Sequence, residues 1–156
     1  SDIHSWQGVD ILYLIASQMA DYKFNLIGQF NYKTDLKNVV YHGVLIGGDY
    51  DTLMSGMDYA IGTLAFHRSG LSEGSPLKVR DYLSYDLPTV VGYRDSDFFE
   101  ESFMKYIDPC DLSSVVDSIR VFFLEWRNDS FAGSIHSSCL FEVREKHRVR
   151  KLLQLR

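Results

Sequence analysis

Cysteine is scarce in this 156-residue chain: Cys110 and Cys139 are the only two, far apart and without metal-ligand spacing. That argues against a disulfide scaffold or a zinc finger and favours a reducing, cytoplasmic setting. Basic charge is also short. Sixteen Lys and Arg face 21 Asp and Glu, for a net charge of −5. General nucleic-acid binding needs a basic footprint, so no nucleic-acid partner is expected. No apolar run approaches the roughly 20 residues of a membrane span, and no signal peptide is visible. Internal repeats and low-complexity tracts are absent as well.

What remains is an ordinary globular composition, 46% hydrophobic and 24% charged, long enough for one domain with a sizeable core. Ile11, Leu12, Leu14, Ile15 and Met19 recur at helical spacing, predicting an amphipathic helix from Gly8 to about Tyr22. Short strands are predicted at Phe24–Gly28, Lys37–His42, Asp58–Gly62 and Thr89–Tyr93, with a weaker one at Lys105–Ile107. A short helix is expected at Tyr50–Met54 and a longer one from about Leu112 to Trp126. Apolar strands alternating with helices indicate an α/β domain built on a parallel sheet. In a doubly wound domain a strand leads into the first helix, and here that leading strand is expected to be missing. Six basic residues lie between Arg144 and Arg156, with Leu140, Val143, Val149, Leu152 and Leu153 at helical spacing. They describe a solvated helix with one apolar stripe, a helix docking on a partner domain, or one drawn to an anionic membrane.

Chemistry concentrates between Ser72 and Val91. Pro76 suits a first helical position and Ser75 before it suits a cap, with the helix running to about Tyr85 before Leu87-Pro88 ends it. Backbone N–H groups at such a start, opening from a small-residue loop, suit a phosphate. Glu73 stands just outside the start. Asp81 lies on the helix away from the face that Val79, Tyr82 and Leu83 would bury. A phosphate seat flanked by carboxylates that accept hydroxyls is what a nucleotide-sugar needs.

Glu73 and Asp81 also match a Glu-x7-Glu pattern. Around them stand Gly74, Pro76-Leu77-Lys78, Tyr82-Leu83 and Leu87-Pro88, and upstream Trp6–Leu12, Leu26-Ile27-Gly28, Val39–Gly43 and Met57–Gly62. Over roughly Trp6 to Leu124 this series resembles the C-terminal, donor-binding domain of retaining GT-B glycosyltransferases, family 4 in particular. The resemblance implies a Rossmann-like doubly wound parallel sheet flanked by helices. It implies a single nucleotide-sugar-binding domain from a two-domain enzyme, without its N-terminal acceptor domain. Glu73 would be the catalytic carboxylate at the donor sugar, and Asp81 would accept the ribose hydroxyls. Ser75, Pro76, Leu77 and Lys78 would cradle the phosphates, with His67 and Arg68 as further phosphate contacts. Gly28, His42 and Gly43 would lie against the donor.

Transfer with retention, no cofactor and no essential metal follow from the same resemblance. So does a place in polysaccharide biosynthesis, with peripheral attachment at the inner membrane face for the full-length enzyme only. In such enzymes the chain ends in a helix that crosses to the other domain. Gln7 stands where many members have lysine, and Asp86 where glycine usually ends the helix in a left-handed conformation. Asp49-Tyr50-Asp51 and Asp95-Ser96-Asp97 could each hold a divalent cation, and are read as solvated loop carboxylates. Two other readings stay open. One is a GT-B-like sugar-nucleotide epimerase; the other is a non-catalytic α/β interaction module.

Overall fold

A computed structural model describes residues 4–30, 33–127 and 135. The expected basic helix beyond Leu140 lies outside these residues, as does Cys139. A 3-10 turn at Ser5–Gln7 leads into α1 (Val9–Gln18), whose Val9, Ile11, Ile15 and Ala16 are buried. Gly8 caps this helix at φ 74°, and a Cβ there would come within 2.9 Å of Ala65 N. Both the left-handed backbone and the close approach therefore require glycine. The helix stops four residues short of Tyr22. Asn38 is the reason: its Nδ2 donates to the carbonyls of Ala16 (2.9 Å), Met19 (3.1 Å) and Tyr22 (3.1 Å). One amide thus satisfies carbonyls that a helix end leaves open.

β1 (Phe24–Ile27) pairs in parallel with β2 (Val39–Gly43), and α2 follows at Gly48–Ser55. β3 (Ala60–Ile61) pairs with β5 (Thr89–Val91), and β5 with β7 (Met104–Tyr106), again in parallel. The segments between carry β4 (Glu73–Gly74), α3 (Leu77–Ser84) and β6 (Arg94–Asp95), while α4 runs from Leu112 to Trp126. β4 and β6 form a fourth parallel pair that residue patterning does not suggest, since neither is apolar.

Helices cover both faces of β5. Val90 is fully buried against α1 and α4, in a cluster with Ile15, Met19, Val116, Ile119 and Phe123. Val91, its neighbour, turns to the opposite face and packs with Val79 and Leu83 of α3. Successive strand side chains alternate in this way, so a strand covered on both faces reads as an unbroken apolar run. A third cluster joins Met54 of α2 to Ala60 and Leu87. The fold is mixed α/β with parallel strands in small sheets, as expected at that level. Among the described residues no helix is long and apolar enough to cross a membrane.

α3 begins one residue later than predicted. Pro76 (φ −64°, ψ 135°) is the cap residue rather than the first helical one, and Ser75 does not cap. Its Oγ donates instead to Asp97 at 3.0 Å. A carboxylate nearby outcompetes the backbone N–H groups for a hydroxyl donor, because charge strengthens the bond. At the other end Asp86 sits at φ 58°, the left-handed conformation expected before Leu87-Pro88.

Candidate functional site

α3 presents three different environments within four residues. Arg80 is buried: its Nη1 and Nη2 reach Asp95 at 2.5 and 2.8 Å, and Nη2 also reaches Asp97 at 2.5 Å. Burial would depress its guanidinium, yet the bonds to Asp95 and then Asp97 outweigh that and hold it above its ordinary value. Asp95 accepts further from the backbone N–H groups of Asp97 (3.1 Å) and Phe98 (3.2 Å). The Asp95-Ser96-Asp97 triplet is therefore spent on an internal cation, and it is not the solvated loop expected of it. The other triplet is also engaged, since Tyr85 donates to Asp51 at 2.5 Å.

Asp81 turns the other way. It is half-buried and accepts a short hydrogen bond from the hydroxyl of Tyr50 on α2. Burial, then the bond to this carboxylate, push the Tyr50 phenol up, so it remains a donor at any working pH. Tyr82 beside it, pushed up to about 12 by burial and then by Asp81, is likewise neutral.

Lys78 occupies the third environment. Half-buried, it makes no ion pair among the described residues, and burial holds its amine below the ordinary 10.5. It lies on the wall of an open cleft of about 990 Å³ that also takes in Gly8, Ile27, His42, Gly62 and Tyr82. Next in sequence to the lining residues Ile27 and His42 stand two left-handed glycines, one after β1 and one at the end of β2. Gly28 (φ 123°) donates its N–H to the carbonyl of Gly43 (φ 68°) at 2.6 Å, and a Cβ on either would meet nothing within 4 Å. His42 Nε2 bonds Asn25 Oδ1 at 2.9 Å across β1 and β2, which fixes its ring at the cleft wall.

The other expected site residues fall as follows. Glu73 is exposed on β4, in register with Arg94 of β6. Gly74 beside it has no room for a side chain, since a Cβ would come within 2.6 Å of Phe66 Cε1. Leu77 is 80% exposed at the first turn of α3. His67 is exposed on a 3-10 turn (Phe66–Ser69). Arg68 on the same turn grips Asp10 of α1 with two bonds of 2.8 Å and the Ser5 carbonyl at 3.1 Å. That pairing holds Asp10 below its ordinary value and ties the turn to the start of α1.

Lys78, near the start of α3, and His42 of β2 thus line one cleft, and Asp81, held by Tyr50, lies three residues further along the same helix. Arg68 is engaged with α1. The residues missed from sequence are Tyr50, Asn25 and Arg80, and with Arg80 the cation that the Asp95-Ser96-Asp97 triplet holds. Of these three, Arg80 left a signal, since it sits one residue beyond Val79 on the side of α3 that Leu83 also buries. Chemically the cleft wall offers the desolvated Lys78 amine and the His42 imidazole, along with Lys23, Arg127 and the carboxylates of Asp58 and Asp86. The helix-start N–H groups and the Asp81 carboxylate are carried on the same helix as Lys78. Among the described residues no group of His, Cys, Asp or Glu is arranged to hold a metal ion. No protein-family model, curated protein or solved structure matches this chain.

Proposed function

We propose that this domain binds the diphosphate and ribose of a nucleotide-sugar, as the donor half of a retaining glycosyltransferase of the GT-B kind. The observation that carries the proposal is Lys78: a half-buried cation without an ion pair among the described residues, beside the start of α3 and at the wall of a large cleft. Holding a charge there is unfavourable until an anion arrives, and a phosphate would relieve the penalty. Helices on both faces of β5 are what a doubly wound, Rossmann-like sheet would have. The Tyr50 hydroxyl on Asp81 gives the ribose a plausible chemistry, because a sugar diol supplies the same kind of O–H donor to that carboxylate. Glu73, exposed near the start of α3, is the carboxylate available to a donor sugar. Charge growing on the leaving diphosphate would be met by Lys78 and the N–H groups of Leu77 and Lys78. The acceptor, and attachment to a membrane face, would belong to a second domain of the same enzyme.

Titrating the chain with uridine and guanosine diphosphates, read by amide NMR, tests this. Shifts should gather at Gly8, Gly28, His42 and Ser75–Asp81. Their absence, or shifts scattered elsewhere, would refute the proposal. One observation favours the non-catalytic alternative. Asp97 already sits beside the start of α3, bonded to Ser75, and repels an incoming phosphate. If that module is the correct reading, no nucleotide raises the melting temperature. An epimerase would consume the nucleotide-sugar in the absence of any acceptor.

A further inference from the structure

The cleft has a second property, independent of nucleotides. It separates the edge strands of two parallel sheets, β1 on one side and β3 on the other, each lining it along its whole length. On β3, the N–H groups of Ala60 and Gly62 go to Pro88 and Val90 of the β5 side, at 3.0 and 2.8 Å. Alternation therefore turns the N–H and C=O of Ile61 toward the cleft. On β1, Phe24 and Gly28 donate to Asn38 and Gly43 on the β2 side, at 2.8 and 2.6 Å. Asn25 and Ile27 then present their backbone groups to the same cleft from the opposite wall. Apolar side chains from two core clusters line it, Leu12 of α1 and Phe123 of α4 from one, Met54 and Leu87 from the other, with Lys78 and Asp86 also on its wall. Donors and acceptors at both sides, with apolar cover from two clusters, describe the surroundings of a central strand of a parallel sheet.

We infer that this cleft takes one extended strand, parallel to β1 and β3 and apolar on both faces, which joins them into a single sheet. The occupant is polypeptide on the amino-terminal side of the Ser5–Gln7 turn. Two observations identify it. The Gln7 carbonyl accepts from Leu64 N–H at 3.1 Å, so the turn sits just past the carboxyl end of β3, where a parallel strand in the cleft would finish. From there the path runs through α1, which roofs the cleft, into β1 at its edge. Strand, α1 and β1 then form one βαβ unit, and such crossovers are right-handed nearly always. A strand brought by another molecule would have no reason to end at that turn.

The test fuses an apolar strand of about six residues, a usual strand length, ahead of Ser1 through a short polar linker. A second fusion carries proline at alternate positions of the strand, and the unfused chain receives the same apolar peptide free in solution. Hydrogen exchange is read at Asn25, Ile27 and Ile61. In the first fusion these three amides should exchange about tenfold more slowly or better, with the melting temperature raised. In the proline fusion they should exchange as in the unfused chain, because proline has no N–H to give. Unchanged exchange in the first fusion overturns the inference, as does equal protection in both. Protection by the free peptide without any effect of fusion also overturns it, and gives the cleft to a partner's strand. The nucleotide titration is read at Gly8, Gly28, His42 and Ser75–Asp81, none of them the three amides read here, so either proposal can fail alone.

Discussion

Arg80 and Lys78 stand two residues apart on α3 and share almost nothing. Arg80 is 6% exposed and meets two carboxylates, one of them fully buried; Lys78 is half-buried and meets none among the described residues. The first cation is part of the frame. The second is a charge kept available, and that contrast separates structure from site in a chain where both look alike on paper. The largest effect should come from breaking the frame. Arg80→Ala leaves Asp95 buried and uncompensated, and should cost about 3–5 kcal/mol in denaturant unfolding. Arg80→Lys keeps the charge without the forked geometry and should lose markedly less. Equal losses for the two would mean that packing against Phe98, and not the ion pair, holds the corner.

Lys78→Met reverses the pattern. Removing a partly desolvated charge should leave stability within about 0.5 kcal/mol of the parent or slightly above it. Nucleoside diphosphate affinity should fall about tenfold or more, the scale of one charge-assisted hydrogen bond. Calorimetry of both variants sharpens the comparison, since Arg80→Lys should bind nucleotide nearly as the parent does. An Lys78→Met chain with unaltered affinity would remove Lys78 from the site.

Much of the architecture was legible because burial writes itself into short range order. Thr89-Val90-Val91 reads as a covered strand, and Val115, Val116, Ile119, Phe122 and Phe123 mark α4 by their spacing. The start of α3 was legible too, to within one residue, from Pro76 and the small residues before it; the phosphate seat there belongs to the proposal. The rest depends on contacts that spacing does not encode. Asn38 stops α1 from across the sheet, over 16 to 22 residues of sequence. Asp95 and Asp97 look like exposed loop acids until Arg80 is known to face them. Tyr50 reaches Asp81 over 31 residues, so its role has no local signature. β4 and β6, each of two residues without an apolar pattern, exist only as each other's partners.

Tyr50→Phe tests the open side of α3 at smaller scale. It removes one neutral donor to a half-buried carboxylate, a loss of about 1 kcal/mol in stability. If Asp81 takes a ribose diol, the freed carboxylate should bind nucleosides no worse than before, and the variant separates the two roles. Weaker binding in step with lost stability would instead make Asp81 a tie between α2 and α3 and nothing more.

The smallest effect belongs to the pair that closes the other charged residue of the phosphate proposal, Arg68 on Asp10. Asp10 is depressed below its ordinary 3.8, chiefly by the bond from Arg68. A carboxylate lowered on folding stabilises the fold above its unfolded value, and that contribution disappears as pH falls through the folded value. Both side chains are substantially exposed, at 34% and 50%, so solvent screens the pair to about 0.5 kcal/mol or less. Melting curves of the parent and Arg68→Gln should therefore differ slightly near neutral pH and converge as pH falls through the lowered folded value of Asp10, where it becomes protonated in both. High salt should shrink the difference at neutral pH in the same direction. A gap that persists in acid would show that Arg68 acts through its bond to the Ser5 carbonyl, holding the turn in front of α1 by a contact that does not titrate.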